Sequence, residues 1–182
     1  MKKFIPLIII IVLLIGLFQW GVGLNNTMVE KQQNAKKQWS NVESAYQRRA
    51  DLIPNLVNTV KGYASHEKET LEGVIQARAN ATKTTIDPTN VTPEQMAAFQ
   101  ESQNTLTGAL SRLMVVAERY PDLKANQNFL ELQSQLEGTE NRINVERNRY
   151  NEVATDYNIY VKKFPASLVA NILNFDPLVL FE

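Results

Sequence analysis

The segment from Ala125 to Lys163 reads ANQNFLELQSQLEGTENRINVERNRYNEVATDYNIYVKK. Large apolar residues recur every seven positions through it and just beyond it, at Phe129, Leu136, Ile143, Tyr150, Tyr157 and Phe164. A sustained seven-residue repeat places one stripe of a helix against neighbouring helices. We therefore predict one helix over 125–163, about 58 Å long at 1.5 Å per residue. Thr139 and Glu146 interrupt the second row of the stripe, so we expect them to find partners or to face outward.

Three shorter helices are predicted ahead of this segment from apolar residues at helical spacing, over 27–50, 54–82 and 93–119. Pro54 stands between the first two. Proline costs about 3 kcal/mol in a helix interior, and Asp51 is a suitable N-cap for a new helix, so we predict a turn at this point. A single helix kinked at Pro54 is the alternative, because the apolar phase continues across the proline.

The clearest loop covers residues 82–92 and ends in Thr92-Pro93-Glu94-Gln95, the sequence of a capping box with proline at the first helical position. Short connections make neighbouring helices antiparallel. We therefore predict an all-α fold in which residues 25–164 form an antiparallel up-and-down four-helix bundle. Residues 165–182 follow it as a short apolar tail.

A stretch without any charge extends from Phe4 to Val29. Within it, residues 4–24 would span roughly 31 Å as a helix, about the thickness of a hydrocarbon core. We predict that these residues are an uncleaved transmembrane anchor in contact with membrane lipid. The alternative is a cleavable signal peptide, for which Gly21-Val22-Gly23 is a loose match to a cleavage site.

Residues 1–3 form a basic N-terminal flank, because Lys2 and Lys3 lie immediately before the apolar span. The more basic flank of a span stays in the cytoplasm. We therefore predict a single-pass protein of the cytoplasmic (inner) membrane, with its N-terminus inside and its bundle on the extracytoplasmic side. Three lysines beyond the span, at positions 31, 36 and 37, reduce this asymmetry.

The composition excludes several classes of function. The chain has 182 residues, with 19 Lys and Arg, 19 Asp and Glu, one histidine and no cysteine. Such a balance leaves no basic stripe for nucleic acid. Without cysteine there are no disulfides, thiolate nucleophiles or zinc–thiolate sites.

The single histidine gives no catalytic pattern. His66-Glu67-Lys68-Glu69-Thr70 begins like the helix of a zinc protease, but Thr70 stands where the second histidine is needed. A serine nucleophile would also require His66, and no glycine-flanked serine is present. The seven scattered glycines form no phosphate-binding loop. We therefore predict that the protein is not an enzyme and takes no cofactor, no metal and no small-molecule substrate.

Several long motifs resemble the LemA family. They are WSNV (39–42), YQRRADLIPNLV (46–57), VKGYASHE (60–67), YPDLKANQNF (120–129), TENRI (139–143) and RNRYN (147–151), together with Phe164-Pro165 and the apolar tail. The resemblance covers nearly everything after the anchor. It implies a single-pass membrane protein with a bromodomain-like four-helix bundle, and it implies no established biochemical activity. Some descriptions of the family place the short N-terminus outside the cell, opposite to the charge argument.

Two groups of residues are candidates for contacts with other molecules. If the bundle begins at the membrane, the turns at 51–54 and 120–126 both lie at its distal end. We predict a distal polar cap that binds a partner, formed by Arg48, Arg49, Asp51, Asn55, Asp122, Lys124 and Asn126. The alternative is a network that only caps helix ends and orders the two turns.

The apolar tail is the second candidate. It either folds back onto the bundle or contacts the membrane or a partner. The residues that would make such a contact are Leu168, Val169, Ile172, Leu173, Phe175, Leu178, Val179 and Phe181.

These features favour a non-catalytic, membrane-anchored helical scaffold of the bacterial cell envelope. It would bind protein partners or copies of itself. The alternative function is a membrane-shaping or lipid-contacting element that acts through the C-terminal tail.

Overall fold

Helix α1 runs without interruption from Ile5 to Tyr63, so the predicted anchor and the first helix of the domain are one helix of 59 residues. The computed structural model describes residues 5–182, with side chains from Ile8 onward, and the predicted basic flank 1–3 and Phe4 lie outside the described residues. The other helices are α2 (Lys68–Lys83), α3 (Pro93–Ala117), α4 (Pro121–Lys124), α5 (Gln127–Lys162) and α6 (Ala166–Leu173). No strand occurs between residues 5 and 182, and the protein is all-α as predicted.

The N-terminal part of α1 is apolar and uncovered. An 18-residue window in it has a mean hydropathy of 2.2, and none of that window is buried inside the protein. Over the described residues, α1 is the one helix long and apolar enough to cross a membrane. Residues 5–24 of the anchor predicted over 4–24 belong to this part of the helix.

The turn predicted at Asp51–Pro54 is wrong, because α1 continues through Pro54 for another nine residues. Proline has no N–H, so the carbonyl of Ala50, four residues earlier, lacks its helical donor. Arg78 of α2 supplies the missing hydrogen bond, since its Nε donates to the Ala50 oxygen at 2.7 Å. Pro54 itself is exposed, whereas Ala50 is buried. The free-energy cost of Pro54 inside the helix is thus partly offset by Arg78. Its contact with Ala50 cannot be predicted from the periodicity of apolar residues.

We expect substitutions at Pro54 and Arg78 to have coupled effects on the free energy of unfolding. Arg78→Ala leaves the buried Ala50 carbonyl without a donor and should lower the free energy of unfolding by about 1–3 kcal/mol. Pro54→Ala restores the helical N–H and should stabilise the protein. In the Pro54→Ala background, Arg78→Ala should therefore cost at least about 1 kcal/mol less, as measured by a double-mutant cycle of denaturant unfolding. Equal costs in both backgrounds would refute this account of the proline.

Helices α1 and α5 pack against each other in antiparallel directions. Near the start of the contact Lys31 lies over the ring of Tyr160, with Nζ 5.8 Å from the ring centroid. At its far end the Asn126 side chain, which caps α5, donates to the Tyr63 hydroxyl at 2.9 Å. The contact therefore extends over the whole length of α5.

Helices α2 and α3 form a second antiparallel pair on the side of α1. Gln103 of α3 donates to the carbonyl of Ala81, near the end of α2, at 3.0 Å. Tyr120, just after α3, donates to Glu67, just before α2, at 3.0 Å. The connection between α1 and α2 is the short turn 64–67, thirteen residues later than predicted.

The interior divides into two apolar clusters along the domain. The distal cluster lies around Ile53, Leu56, Val60, Leu113, Leu123 and Phe129. The proximal cluster, nearer the apolar part of α1, lies around Met28, Trp39, Phe99, Tyr150, Tyr157 and Phe181. Residues of the predicted seven-residue repeat contribute to both clusters.

The helix ends in the second half of the chain lie close to those predicted. Helix α3 begins at Pro93 with the predicted capping box: the Gln95 N–H donates to Thr92 Oγ1 at 3.2 Å, and the Thr92 N–H donates to Gln95 Oε1 at 2.9 Å. It ends at Ala117, two residues before the predicted 119. Helix α5 covers 127–162, against the predicted 125–163.

The two polar residues of the repeat are buried and have partners, as expected. Thr139 donates to the Gln135 carbonyl at 2.7 Å. Glu146 is fully buried, and its carboxylate pairs with Arg142 at 2.6 Å and Arg149 at 3.1 Å, while Gln38 donates to it at 2.6 Å.

Candidate interaction surfaces

Arg49 lies inside the protein and not on a surface cap. Its side chain is 2% exposed. One terminal nitrogen, Nη1, donates to both oxygens of Glu140 on α5 at 2.8–2.9 Å and to Thr107 of α3 at 2.9 Å. The other, Nη2, donates to Gln103 Oε1 at 2.6 Å. Because the Gln103 amide also reaches the Ala81 carbonyl of α2, this network joins α1, α2, α3 and α5.

The apolar phase of α1 contains a signal that places Arg49 in the interior. Arg49 lies three residues after Tyr46 and four before Ile53, so it falls on the apolar face of α1, whereas Arg48 does not. Gln103 likewise lies four residues after Phe99 and falls on the buried face of α3. A charged residue in an apolar phase indicates a buried ion pair, since an unpaired buried charge is too costly to keep.

Arg48 and Asp51 are exposed and line a groove along the middle of α1. The groove has a volume of about 1230 Å3, and its walls include residues of α1, the end of α2 and the α5 residues near Thr139. Asp51 accepts a hydrogen bond from Gln47 at 2.7 Å. Both polar and apolar side chains line the groove, which suits it to a protein segment better than to a charged small ligand.

Asp122, Lys124 and Asn126 lie at the far end of the molecule, beside the turn 64–67. The carboxylate of Glu67 accepts from Tyr120 and pairs with Arg119 at 3.1 Å. Lys124 pairs with Glu118. Asp122 is exposed, and Asn126 caps α5 by accepting from the Phe129 N–H at 3.0 Å.

The residues of the predicted distal polar cap therefore lie at separate places in the structure. From Arg49 to Tyr63 the helix rises by about 21 Å, so Arg48, Arg49 and Asp51 do not share the distal end with Asp122, Lys124 and Asn126. Asn55 is exposed on α1 between the two groups. The reason is the displaced turn: α1 continues past Pro54, and the distal end of the domain is formed by 64–67 in place of 51–54. His66 lies exposed in this turn.

The end of the tail is bound along α5 by two asparagines. Asn158 both donates to and accepts from the backbone of Leu178, at 2.8 and 2.7 Å. Asn151 does the same with the backbone of Phe181, at 2.8 and 2.9 Å. Seven helical residues rise about 10.5 Å, and three extended residues span about 10 Å, so the spacing matches a nearly extended segment running antiparallel to α5.

Phe181 completes the proximal cluster. Its ring stacks on Trp39 with centroids 5.3 Å apart and planes 9° apart, and the Arg147 guanidinium lies 4.8 Å from its centroid. Tyr150 meets the Trp39 ring edge-on at 5.2 Å and donates from its hydroxyl to the Val179 carbonyl at 2.9 Å. Burial raises the pKa of Tyr150 and of Tyr46 above the usual value, so both phenols remain protonated.

The predicted tail contacts fall into two sets. Leu178 and Phe181 are buried, and Val169, Phe175 and Val179 are partly buried against the proximal cluster, so they pack on the domain. Leu168, Ile172 and Leu173 of α6 are exposed, at 56, 77 and 49%. Asn174, in the left-handed conformation with φ 57°, ends α6, the helix that carries all three exposed residues.

A model of the LemA family matches residues 38–182, which includes every surface described above. The chain belongs to the LemA family. It is 27% identical to Protein LemA of Metamycoplasma hominis over 176 residues, covering 96% of this chain and 77% of that protein.

The LemA-family chain is also similar to two magnetosome proteins. It is 26% identical to Magnetosome protein MamQ 2 of Paramagnetospirillum magneticum and 25% identical to Magnetosome protein MamQ of Magnetospirillum gryphiswaldense. Each match covers 86% of this chain and 64% of the relative, so the chain spans less than two thirds of the length of these relatives. The names of these relatives state no catalytic activity. The residues that the structure describes contain no group of three or more His, Cys, Asp and Glu side chains arranged to hold a metal ion.

Proposed function

We propose that this protein is a non-catalytic, membrane-anchored scaffold that holds partner-binding surfaces away from a bacterial membrane. The observation that carries the proposal is the continuity of α1 from its apolar part to the distal turn. From Leu24 to Tyr63 the helix rises by about 58 Å. A single helix has no loop at which the domain could pivot relative to the anchor.

The packing between the helices is consistent with a rigid scaffold of this kind. Helices α1 and α5 contact each other over the length of α5, and with α2 and α3 we propose that they form the up-and-down bundle expected for the family. The Arg49 network joins all four helices at mid-length. We place the anchor in the cytoplasmic membrane with the domain on its extracytoplasmic side, as the charges of Lys2 and Lys3 favour.

Two surfaces are offered to partners or to other copies of the chain. The first is the groove lined by Arg48 and Asp51, and the second is the distal end with Asp122 and Lys124. Neither carries a cluster of like charge. Each therefore suits a polar protein surface better than a nucleic acid.

Photo-crosslinking in intact cells tests the scaffold. Benzoylphenylalanine replaces Arg48 in the groove, Lys124 at the distal end, or Glu152, which is exposed on α5 outside both surfaces. We expect discrete adducts of reproducible mass from position 48 or 124 and none from 152. Mass spectrometry distinguishes a dimer of this chain from a complex with another protein.

A charge reversal on the adduct-forming surface provides the control. Asp51→Lys with the crosslinker at 48, or Asp122→Lys with the crosslinker at 124, should remove the adduct while leaving the thermal unfolding of the purified protein unchanged, since both aspartates are exposed. Monomer alone from all three positions in several growth conditions would count against the scaffold.

A further inference from the structure

Helix α6 is apolar on both of its faces, and the protein covers only one. Its sequence ASLVANIL has six apolar residues of eight. Ala166 and Ala170 point into the proximal cluster and are 3% exposed. Leu168 and Ile172, four residues apart on the opposite face, are 56 and 77% exposed. A surface helix normally presents polar residues to solvent, whereas α6 presents Leu168 and Ile172 beside Asn171.

Phe164 enlarges this uncovered surface. Its ring precedes α6 and is 80% exposed, and Leu173 at the other end of the helix is 49% exposed. Leu168 and Ile172 form the outer face of α6, and Phe164 adds a third large apolar side chain just before the helix. Large apolar side chains exposed in one short segment mark a contact with another apolar phase.

The position of α6 along α1 indicates which phase that is. Lys31 lies over the ring of Tyr160, and α5 runs antiparallel to α1, so Lys162 at the end of α5 lies level with about Val29. Helix α6 follows and contacts α1, and the same apolar cluster contains Met28, with Leu24 packed against it. The predicted anchor ends at Leu24, about 8 Å from Val29 along the helix, so α6 lies close to the point where the anchor leaves the membrane.

We propose that the outer face of α6 inserts into the interfacial layer of the membrane that α1 crosses. Short amphipathic elements bury their apolar side roughly 5–10 Å into the boundary between headgroups and acyl chains. Lys162 and Lys163 are exposed immediately before Phe164, at the position where lysines meet lipid phosphates. The inference rests on the proposed anchor, and it adds a second membrane contact that fixes the rotation of the domain about α1.

Single-cysteine labelling of the full chain tests the proposal, because the chain has no cysteine of its own. An NBD fluorophore is attached at Ile172→Cys on α6, at Leu14→Cys in the anchor, or at Val115→Cys, an exposed apolar position at the distal end of α3. Each protein is reconstituted into vesicles of phosphatidylcholine and phosphatidylglycerol. Quenching is measured with lipids spin-labelled near the headgroup, with lipids spin-labelled deep in the acyl chain to report on position 14, and with iodide on both sides of the bilayer.

We expect the label at 172 to be quenched by the spin-labelled lipid and protected from iodide, with a blue-shifted emission. The label at 115 should show the opposite behaviour. If the label at 14 is lipid-quenched while that at 172 is open to iodide, the proposal fails and the anchor stands. If neither is lipid-quenched, the membrane anchor itself fails.

A second copy of the chain is the competing occupant of this surface. It would protect the label at 172 from iodide without lipid quenching, and the protection would disappear when the protein is diluted in excess lipid. That outcome would overturn the proposal.

Discussion

Phe181→Ala should lower the free energy of unfolding by about 3–5 kcal/mol, the usual cost of removing a buried phenylalanine ring. The ring is 6% exposed and stacks on Trp39, and Tyr150 meets both rings edge-on. Its loss opens a cavity against the largest side chain of the proximal cluster. Urea unfolding of the full chain in detergent, followed by circular dichroism, measures the change.

Phe164→Ala is the matched control, because it deletes the same ring from a side chain that is 80% exposed. We expect it to change the free energy of unfolding by no more than about 0.5 kcal/mol in detergent. Equal effects of the two substitutions would mean that the end of the tail does not pack on α5. Phe181→Ala tests the packing of the tail on the domain. Phe164→Ala in detergent does not test the membrane contact of α6, which is tested by the labelling experiment.

Arg49→Ala should destabilise the protein by about 3–5 kcal/mol, because it removes a large side chain that is 2% exposed and leaves the buried Gln103 Oε1 without its donor. Glu140, whose side chain is 40% exposed, loses the contacts of both its oxygens with Arg49 Nη1 at 2.8–2.9 Å and can be solvated instead. The loss affects the point at which four helices are joined. Thermal and denaturant unfolding of the full chain provide the measurement.

The neighbouring arginine supplies the control. Arg48→Ala removes the same side chain from the exposed face of the same helix turn, and its effect should stay within about 0.5 kcal/mol. If Arg48→Ala proved as costly as Arg49→Ala, the assignment of Arg49 to the interior would be wrong. Arg49→Met should recover part of the loss, since an apolar side chain of similar length fills the space without a charge.

The parts of the fold that could be predicted are those in which one local pattern decides the structure. The seven-residue repeat from Phe129 to Tyr157 placed α5 to within two residues at its start and one at its end. The capping box at Thr92 placed the start of α3. Each signal is contained in a few residues of one segment and needs no knowledge of its neighbours.

The turn at Pro54 failed because its outcome depends on a distant residue. Proline disfavours a helix interior by its own chemistry, but Arg78, 24 residues later, donates to the carbonyl that proline leaves free. The misplaced turn then put Arg48 and Asp51 at the wrong end of the domain. A single error in a helix boundary thus became an error in the candidate interaction surface.

The packing of the C-terminal tail could not be predicted from its sequence either. Its apolar composition allowed packing on the domain or contact with a membrane, and the structure assigns Leu178 and Phe181 to the domain and leaves the outer face of α6 uncovered. The decisive groups are Asn151 and Asn158, which bind the backbone of the tail and not its side chains. Sequence patterns of apolar residues do not reveal a contact made by backbone atoms.

The location of Phe181 has a consequence for biosynthesis. Translation proceeds from α1 towards the tail, so Trp39 has no stacking partner until Phe181, 142 residues later in the chain, has left the ribosome. The apolar part of α1 leaves the ribosome early and can enter the bilayer before the proximal cluster is complete. With the anchor that we propose, membrane insertion precedes completion of the core, and a chain that ends before Phe181 would reach the membrane with the proximal cluster incomplete.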